Sequence, residues 1–160
     1  MIERTLVLLK PDAVQRCLTG EIIQRFEKAG MKIVAMKMVW VDEKFAKEHY
    51  AEHVQKPFYP GLEALITMGP TIAMVIEGVE AVHNVRKMVG ATEPKGAAPG
   101  TIRGDYAHVS YGYADKAGIG IKNLIHASDN PENAKKEVKL WFSDKELHTY
   151  KTVHDVHIYQ

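Results

Sequence analysis

Residues 4–12 read RTLVLLKPD, a dense apolar run that opens on a polar residue and ends in Lys-Pro-Asp. The run is short enough for one buried strand, and Pro11 disfavours its continuation past Lys10. Similar patterns predict strands over residues 31–41, 71–77 and 123–126. Helical spacing of apolar residues predicts the intervening helices, which lie at 20–29, 42–53, just after Gly61, 79–89 and from Pro131 onward.

The order of these elements, β-α-β followed by a second β-α-β, predicts an α+β fold. We expect a four-stranded antiparallel sheet in the split βαβ arrangement, covered on one face by helices. Two glycine-bearing stretches interrupt the pattern: Ala91–Asp105, predicted to be a long irregular loop, and Tyr106–Ile121. Because composition does not shift along the chain, residues 1–160 are expected to form a single domain.

The charge balance says nothing about the fold but bears on which kinds of partner the protein could bind. Lysine and arginine number 21 against 20 acidic residues, which gives no electrostatic case for nucleic acid or a membrane surface. No run approaches the roughly 18 apolar residues of a membrane span. The single cysteine, Cys17, cannot form an intrachain disulfide and is expected to be a small, semi-buried residue rather than a reactive one. We therefore expect a cytoplasmic protein.

The residue that most needs an explanation is His126. Residues 123–129 read NLIHASD, so this histidine ends an apolar run just before a helix begins. A neutral imidazole carries a lone pair that can accept a phosphoryl group and pass it onward. Its other nitrogen would need a partner, for which Glu137 is a candidate, and Ser128 could hydrogen-bond that carboxylate or cap the helix. The alternative is an ordinary surface or core histidine.

Phosphoryl transfer depends on positioning and on cations and donors around the phosphate oxygens. Lys10, Arg86 and Arg103 supply positive charge from three separate elements, and Thr92 and Asn123 add uncharged donors. Each charge taken alone is equally typical of a solvated surface. A magnesium ion carried by the nucleotide would supply the remaining neutralisation, so no metal-ligand residues are assigned in the chain.

Two aromatic residues are further candidates. Phe58 stands in a break before a short helix, where its ring could stack on a base or could anchor the turn in the core. Tyr50 could hydrogen-bond near the histidine or be a buried structural residue. Residues 118–120, GIG, lack the remainder of a dinucleotide fingerprint, and no Walker motif is present. His154 and His157 are expected to be solvated rather than zinc ligands.

Taken together, these residues resemble the nucleoside diphosphate kinases over nearly the whole chain. The resemblance implies a ferredoxin-like βαββαβ fold, a magnesium nucleoside triphosphate donor such as ATP, and a nucleoside diphosphate acceptor. It also implies a ping-pong cycle through a phosphohistidine, which falls on His126. The matching motifs follow the family's order: Lys10-Pro11-Asp12, His49-Tyr50, Pro57-Phe58, Arg86 with Met88 and Gly90, Thr92, residues 99–105 and residues 123–129.

The resemblance also implies residue roles and assembly. Glu137 and Ser128 would support His126, with Tyr50 beside it. A homo-oligomer, most often a hexamer, is implied, with the proline-bearing loop contributing to subunit contacts. Nucleotide contacts would fall on Lys10, Phe58, Arg86, Thr92, Arg103 and Asn123.

This sequence departs from the family pattern in two places. Ala127 stands where the family commonly has glycine, so the backbone there is expected not to need a positive φ. The stretch between Asp105 and Asn123 is longer than usual, and residues 106–121 could form a surface hairpin or alter oligomer contacts. A non-catalytic nucleotide-binding module of the same fold is the main competing interpretation, and a protein-histidine phosphotransfer partner is a weaker one.

Overall fold

The computed structural model describes residues 1–159. Four strands form one sheet: β1 (Ile2–Leu9), β2 (Lys32–Val39), β3 (Thr71–Val79) and β4 (Ile125–Ala127). Their order is β2-β3-β1-β4, and each neighbouring pair is antiparallel. This is the predicted α+β, ferredoxin-like arrangement, in which β1 and β3 are the central strands.

Helices connect the strands and extend the chain beyond them. Within the described residues they are α1 (Pro11–Gln15), α2 (Thr19–Lys28), α3 (Glu43–His49), α4 (Tyr59–Thr67), α5 (Ala81–Val89), α6 (Ile102–Tyr106), α7 (Tyr111–Ala117), α8 (Pro131–Trp141) and α9 (His154–Ile158). Short 3₁₀ turns occupy Ala51–His53, Pro94–Gly96 and Asp144–Glu146. No helix in residues 1–159 is long and apolar enough to cross a membrane.

Helices cover both faces of the sheet, so the prediction of one covered face is wrong. Alternate residues of β1 point to opposite sides, and both sets are apolar and fully buried. Leu6 and Leu8 pack with residues of α3, α4 and α8, whereas Val7 and Leu9 pack with residues of α1, α2, α5 and α6. A strand buried on both faces has no polar side to mark a solvent-facing surface.

Several element boundaries differ from those predicted. Strand β3 continues to Val79, so α5 begins only at Ala81, and the helix predicted to reach His53 ends at His49 before a 3₁₀ turn. The stretch 91–105 is not wholly irregular, since α6 begins within it after Thr101, whose side chain accepts from the Gly104 N–H. These helices are short, and their apolar residues show no long repeat.

Residues 106–121, predicted to form a surface hairpin or to alter oligomer contacts, contain helix α7 rather than a hairpin. Ser110 caps α7 by accepting a hydrogen bond from the Tyr113 N–H at 3.2 Å, and Gly118 ends the helix with a φ of 65°. The segment then returns against α4, where the backbones of Gly61 and Gly120 approach too closely for a Cβ on either residue. Cys17, predicted to be semi-buried, is exposed.

Candidate active site

A cleft of about 490 Å³ opens beside the end of β4, between the turn that follows α3 and helix α8. Its walls carry three histidines, a tyrosine, two arginines and three glutamates among other residues. Several of the residues selected from the sequence line it: Tyr50, Arg86, Thr92, Arg103, His126 and Glu137. Lys10, Asn123, Ser128 and Phe58 are not among its lining residues and are described below.

His126 is presented to the cleft by β4. It pairs with Leu8 of β1, so its ring lies on the same face of the sheet as α8. Its Nε2 lies 3.0 and 3.1 Å from the two carboxylate oxygens of Glu137. The hydroxyl of Ser128 donates to one of those oxygens and accepts the Leu6 N–H at 3.3 Å. Nδ1 is therefore the ring nitrogen left for chemistry.

The charge of Glu137 determines which ring nitrogen of His126 carries the proton. Burial alone would raise the pKa of Glu137, but hydrogen bonds from His126 and Ser128 outweigh burial and hold that pKa below its ordinary value. An ionised carboxylate accepts hydrogen bonds and cannot donate them. Glu137 therefore favours the His126 tautomer that has its proton on Nε2 and its lone pair on Nδ1.

Arg103 is almost completely buried; its side chain both hydrogen-bonds to backbone carbonyls and lines the cleft. Its guanidinium donates to the carbonyls of Gly90 and Asn123, both at 3.1 Å, and to the carbonyl of Ile125. Burial and the neighbouring charge of Arg86 lower the pKa of Arg103 to about 10, which leaves it charged at neutral pH. Three of its five N–H groups are used, so the other two remain for a ligand.

Lys10 and Asn123 lie beneath the cleft rather than on its wall. The Lys10 ammonium donates to the Asn123 side-chain oxygen, and the Asn123 amide donates to the Thr92 carbonyl at 2.8 Å. Burial lowers the pKa of Lys10 to about 8, with Asp12 opposing this shift and Arg103 adding to it. The chain of bonds links the buried ammonium to Thr92 at the cleft surface. Arg86, which also lines the cleft, donates to the Ala127 carbonyl at 3.3 Å.

Asp12 holds the residue before β4; the sequence placed it in the Lys10-Pro11-Asp12 motif but assigned it no role. Its carboxylate accepts the Leu124 N–H at 3.0 Å, and the Lys10 N–H donates to the Leu124 carbonyl at 2.9 Å. Leu124 is fully buried with a φ of 72°, a left-handed conformation that is unfavourable for leucine. The two bonds hold Leu124 in this conformation. Asn123, which accepts a hydrogen bond from Lys10, lies directly before Leu124 in the chain, and the strand that carries His126 begins directly after it. No local sequence pattern signals such a pairing.

The aromatic candidates flank the site. The Tyr50 side chain is buried, and its ring lies edge-on to the His126 ring with centroids 6.4 Å apart. Burial raises the pKa of Tyr50, so its hydroxyl stays protonated. Phe58 is 53% exposed, so the core-anchor alternative does not hold. Its ring lies 5.6 Å from that of His53, which lines the cleft.

Ala127 fits its position without backbone strain. It belongs to β4 opposite Val7, and it is not among the described non-glycine residues with positive φ. Its methyl group is buried in the core on the face of the sheet away from His126. The added methyl is thus accommodated in apolar packing, and the expectation that residue 127 needs no positive φ is met.

His49 completes the cluster around His126 and was also missed as a site residue. One of its ring nitrogens lies within 4.8 Å of a His126 nitrogen and a Glu137 oxygen. These three side chains do not form a natural metal-ligand set, because His49 Nδ1 already accepts the Trp141 indole N–H at 3.1 Å and His126 shares its Nε2 proton with Glu137. Within this group, His126 and Glu137 are hydrogen-bonded to each other, and His49 packs beside them.

Comparisons with known proteins match this chain to one family. The family model described as nucleoside diphosphate kinase matches residues 3–147. The chain belongs to the nucleoside diphosphate kinase family. It is 56% identical to a nucleoside diphosphate kinase of Thermococcus kodakarensis, over 93% of this chain and 82% of that protein. It is 48% identical to the Archaeoglobus fulgidus enzyme of the same name, over 99% of both chains.

Solved structures place the kinase in the same family. A transition-state mimic of the nucleoside diphosphate kinase from Borrelia burgdorferi, with bound vanadate and ADP, matches with a TM-score of 0.95 and 43% identity over 99% of this chain and 97% of that chain. A halophilic nucleoside diphosphate kinase from Halobacterium salinarum in complex with CDP matches with a TM-score of 0.89 and 44% identity over the whole of both chains. The kinase is therefore a phosphotransferase that acts on nucleotides.

Proposed function

We propose that this kinase moves the terminal phosphate of a nucleoside triphosphate to a nucleoside diphosphate through a phosphohistidine at Nδ1 of His126. The observation that carries the proposal is the pairing of His126 Nε2 with both oxygens of Glu137 at 3.0 and 3.1 Å. This pairing leaves the Nδ1 lone pair for attack. The same pairing favours the catalytic enzyme over the non-catalytic nucleotide-binding module, because binding alone does not require a histidine oriented by an ionised carboxylate.

Two half-reactions balance the cycle. In the first, the Nδ1 lone pair forms a bond to the γ-phosphorus as the bond from phosphorus to the β,γ-bridging oxygen breaks, and the nucleoside diphosphate leaves. In the second, a terminal oxygen of another diphosphate attacks the phosphorus, and the N–P bond breaks. Nε2 keeps its proton throughout, and Glu137 stabilises the positive charge that develops on the ring.

The cations around the cleft take the phosphate charge in this proposal. Arg86 and Arg103 can each grip phosphate oxygens with a planar guanidinium. Thr92 adds a hydroxyl donor at the cleft wall. Lys10 and Asn123, linked beneath the wall, would bind the nucleotide once it displaces part of their mutual bonding. Their positions on separate elements suit a ligand that extends across the cleft.

Phe58 and Tyr50 are proposed to contact the two ends of the nucleotide. The exposed Phe58 ring offers an apolar face for stacking on the base, and stacking of this kind discriminates poorly between bases. Tyr50, beside His126, offers a protonated hydroxyl close to the reacting phosphate. The kinase is accordingly expected to accept several nucleotides.

Magnesium is proposed as the accompanying cation, carried by the nucleotide's phosphates. Lys10, Arg86 and Arg103 offer donors and no lone pairs, so the phosphate-facing residues suit an ion bound through the phosphates rather than by a protein cage. The exposed carboxylate of Asp129 lines the cleft and would hold water of the hydrated ion. Bound magnesium neutralises phosphate charge and so lowers the barrier to attack.

Assembly and compartment are proposed on lesser grounds. A homo-oligomer, with a hexamer favoured, follows from the family resemblance. It is supported by Met36 and Met38, which are exposed on β2 at one edge of the sheet. Light scattering after gel filtration would test it, and a monomer would contradict it. The cytoplasm is proposed because a single cysteine suits a reducing compartment, and the chain is taken as a single kinase domain.

A turnover assay with magnesium ATP and a second nucleoside diphosphate tests the proposed function. We expect His126→Ala to abolish transfer while nucleotide affinity stays within about tenfold, because the ring attacks but contributes little to binding. His108→Ala, at an exposed histidine, is the matched control and should keep full activity. Appreciable turnover by His126→Ala would reassign the nucleophile. Nucleotide binding without turnover by the unmodified protein would favour the binding module.

A further inference from the structure

His49 has a buried polar edge that the proposed mechanism does not use. Its Nδ1 accepts the Trp141 indole N–H at 3.1 Å, whereas its Nε2 is buried and has no hydrogen-bond partner among the described residues. In a neutral ring whose Nδ1 accepts, the proton must lie on Nε2. A buried N–H without a partner is unfavourable, so its presence requires an explanation.

The surroundings of His49 point to the reacting histidine. The rings of His49 and His126 meet edge to face with centroids 4.9 Å apart, and the Tyr50 ring also packs edge to face on His49 at 4.4 Å. A His49 ring nitrogen lies within 4.8 Å of His126 and Glu137. Trp141 in turn is fixed by the Phe45 ring, which lies edge-on to it at 4.8 Å. The His49 ring therefore has little freedom to turn.

We propose that His49 is a positioning residue whose tautomer is set by the Trp141 indole, so that an uncharged N–H edge faces the His126–Glu137 pair. The N–H dipole favours an ionised Glu137, and the packed ring holds the plane of His126 for attack. Because His49 is uncharged, it does not oppose the positive charge that develops on His126. This inference rests on the proposed role of His126.

The charge state of His49 follows from its neighbours. His126 faces it from β4, Glu137 from α8, and Tyr50 and His53 from the turn after α3. Burial, with the nearby His126, lowers the pKa of His49 to about 3, and Glu137 opposes this shift only in part. The Trp141 N–H adds to the effect, since protonating Nδ1 would break the bond between them. Without that indole N–H, His49 gains a proton more easily as pH falls.

This reasoning predicts a distinctive pH profile for Trp141→Phe. Packing is largely retained but the N–H is lost, so a charged His49 forms beside His126 at a higher pH than in the unmodified kinase. We expect kcat at neutral pH to fall about 3- to 10-fold with KM within about twofold, as for an effect on the transition state alone. Because the pKa of His49 is about 3 in the unmodified kinase, a rise of about one unit should raise the pH at which kcat falls only in the range below about pH 5.

Removing the titrating ring should cancel that displacement. The double variant His49→Phe, Trp141→Phe should show the acid limb of the unmodified kinase while keeping a reduced kcat. Trp40→Phe, which deletes an exposed indole N–H bonded to the Thr67 carbonyl at 2.9 Å, is the matched control and should change neither quantity. A loss of stability alone would lower the active fraction without moving the acid limb.

The experiment follows formation of phosphohistidine at His126 by rapid quench from about pH 3 to pH 9 for these variants, since His49 titrates near the acid end of that range. An upward displacement in Trp141→Phe that the double variant abolishes supports the inference. An acid limb that stays in place, or one that stays displaced in the double variant, overturns it. No phosphate at His126 in the unmodified kinase would instead mean failure of the proposed function.

A measurement on the unmodified kinase does not depend on how the variants fold. Nitrogen-15 NMR of the histidine rings should show His49 protonated on Nε2 and unprotonated on Nδ1 at pH 5 to 8. A charged His49 ring in that range, or a ring protonated on Nδ1, would overturn the inference.

Discussion

Replacing Glu137 by glutamine would remove the negative charge beside His126 and leave the size of the side chain almost unchanged. Glutamine can also turn its amide toward Nε2 and stabilise the wrong tautomer, with the proton on Nδ1. Both changes act on the step in which Nδ1 attacks phosphorus. We therefore expect a loss in kcat rather than in nucleotide affinity.

The magnitude follows from the separation of the two groups. Nε2 lies 3.0 and 3.1 Å from the carboxylate oxygens, and only 24% of the His126 side chain and 18% of the Glu137 side chain are exposed, so solvent screening is limited. Two unit charges about 4 Å apart interact by about 4 kcal/mol at an effective dielectric constant of about 20. If the ring gains about half a charge in the transition state, the loss is about 2 kcal/mol, or a rate about 30-fold lower.

A single-turnover assay measures this loss directly. The kinase is mixed with magnesium ATP at saturating concentration, and phosphohistidine is quantified after rapid quenching at pH 7.5. Glu132→Gln, on the exposed side of the same helix, is the control and should react at the unmodified rate. If Glu137→Gln phosphorylates within about threefold of the unmodified rate, the charge of Glu137 has no part in the transition state.

Three other substitutions test other parts of the site. Arg103→Ala should lose roughly 2 to 4 kcal/mol of transition-state stabilisation, seen as a fall in kcat/KM and similar to the loss of a strong oxyanion donor. An unchanged kcat/KM in folded protein would show that Arg103 is not part of the site. Since the Lys10 pKa is about 8, ADP affinity should weaken as rising pH removes its proton, and it should show no such step in Lys10→Gln; an unmodified kinase without the step would contradict the assignment. Asp12→Ala leaves the buried Leu124 N–H unpaired and should lower the free energy of unfolding in urea by about 1 to 3 kcal/mol, whereas an unchanged value would show that the bond is dispensable.

The sequence predicted those features that depend on local pattern. The strand around Leu6 and the sheet's antiparallel order followed from short apolar runs separated by helical spacing. The position of His126 near the end of a strand followed from a polar residue that ends such an apolar run just before a helix begins. The helix predicted to begin at residue 42 begins at Glu43, with Asp42 as its N-cap accepting the Phe45 N–H at 2.8 Å.

What the sequence did not predict depends on contacts between distant residues. The pairing of Asp12 with Leu124 joins residues 112 positions apart, and that of Trp141 with His49 joins residues 92 apart. The left-handed φ of Leu124 had no glycine or asparagine to signal it. Helix α7 was missed because it is short and mostly exposed, with Ala114 as its one buried residue. Its packing against α4 is a tertiary contact that no periodicity reveals.

The phosphoenzyme itself is the most direct test of the account. After brief incubation with magnesium ATP, intact-mass and peptide analysis under alkaline conditions should find one acid-labile phosphate on the peptide that contains His126. Addition of a nucleoside diphosphate should discharge it, and His126→Ala should never acquire it. Phosphate on a different residue, or transfer between nucleotides with no phosphoenzyme at any time, would contradict the proposal that His126 carries the phosphate between the two half-reactions.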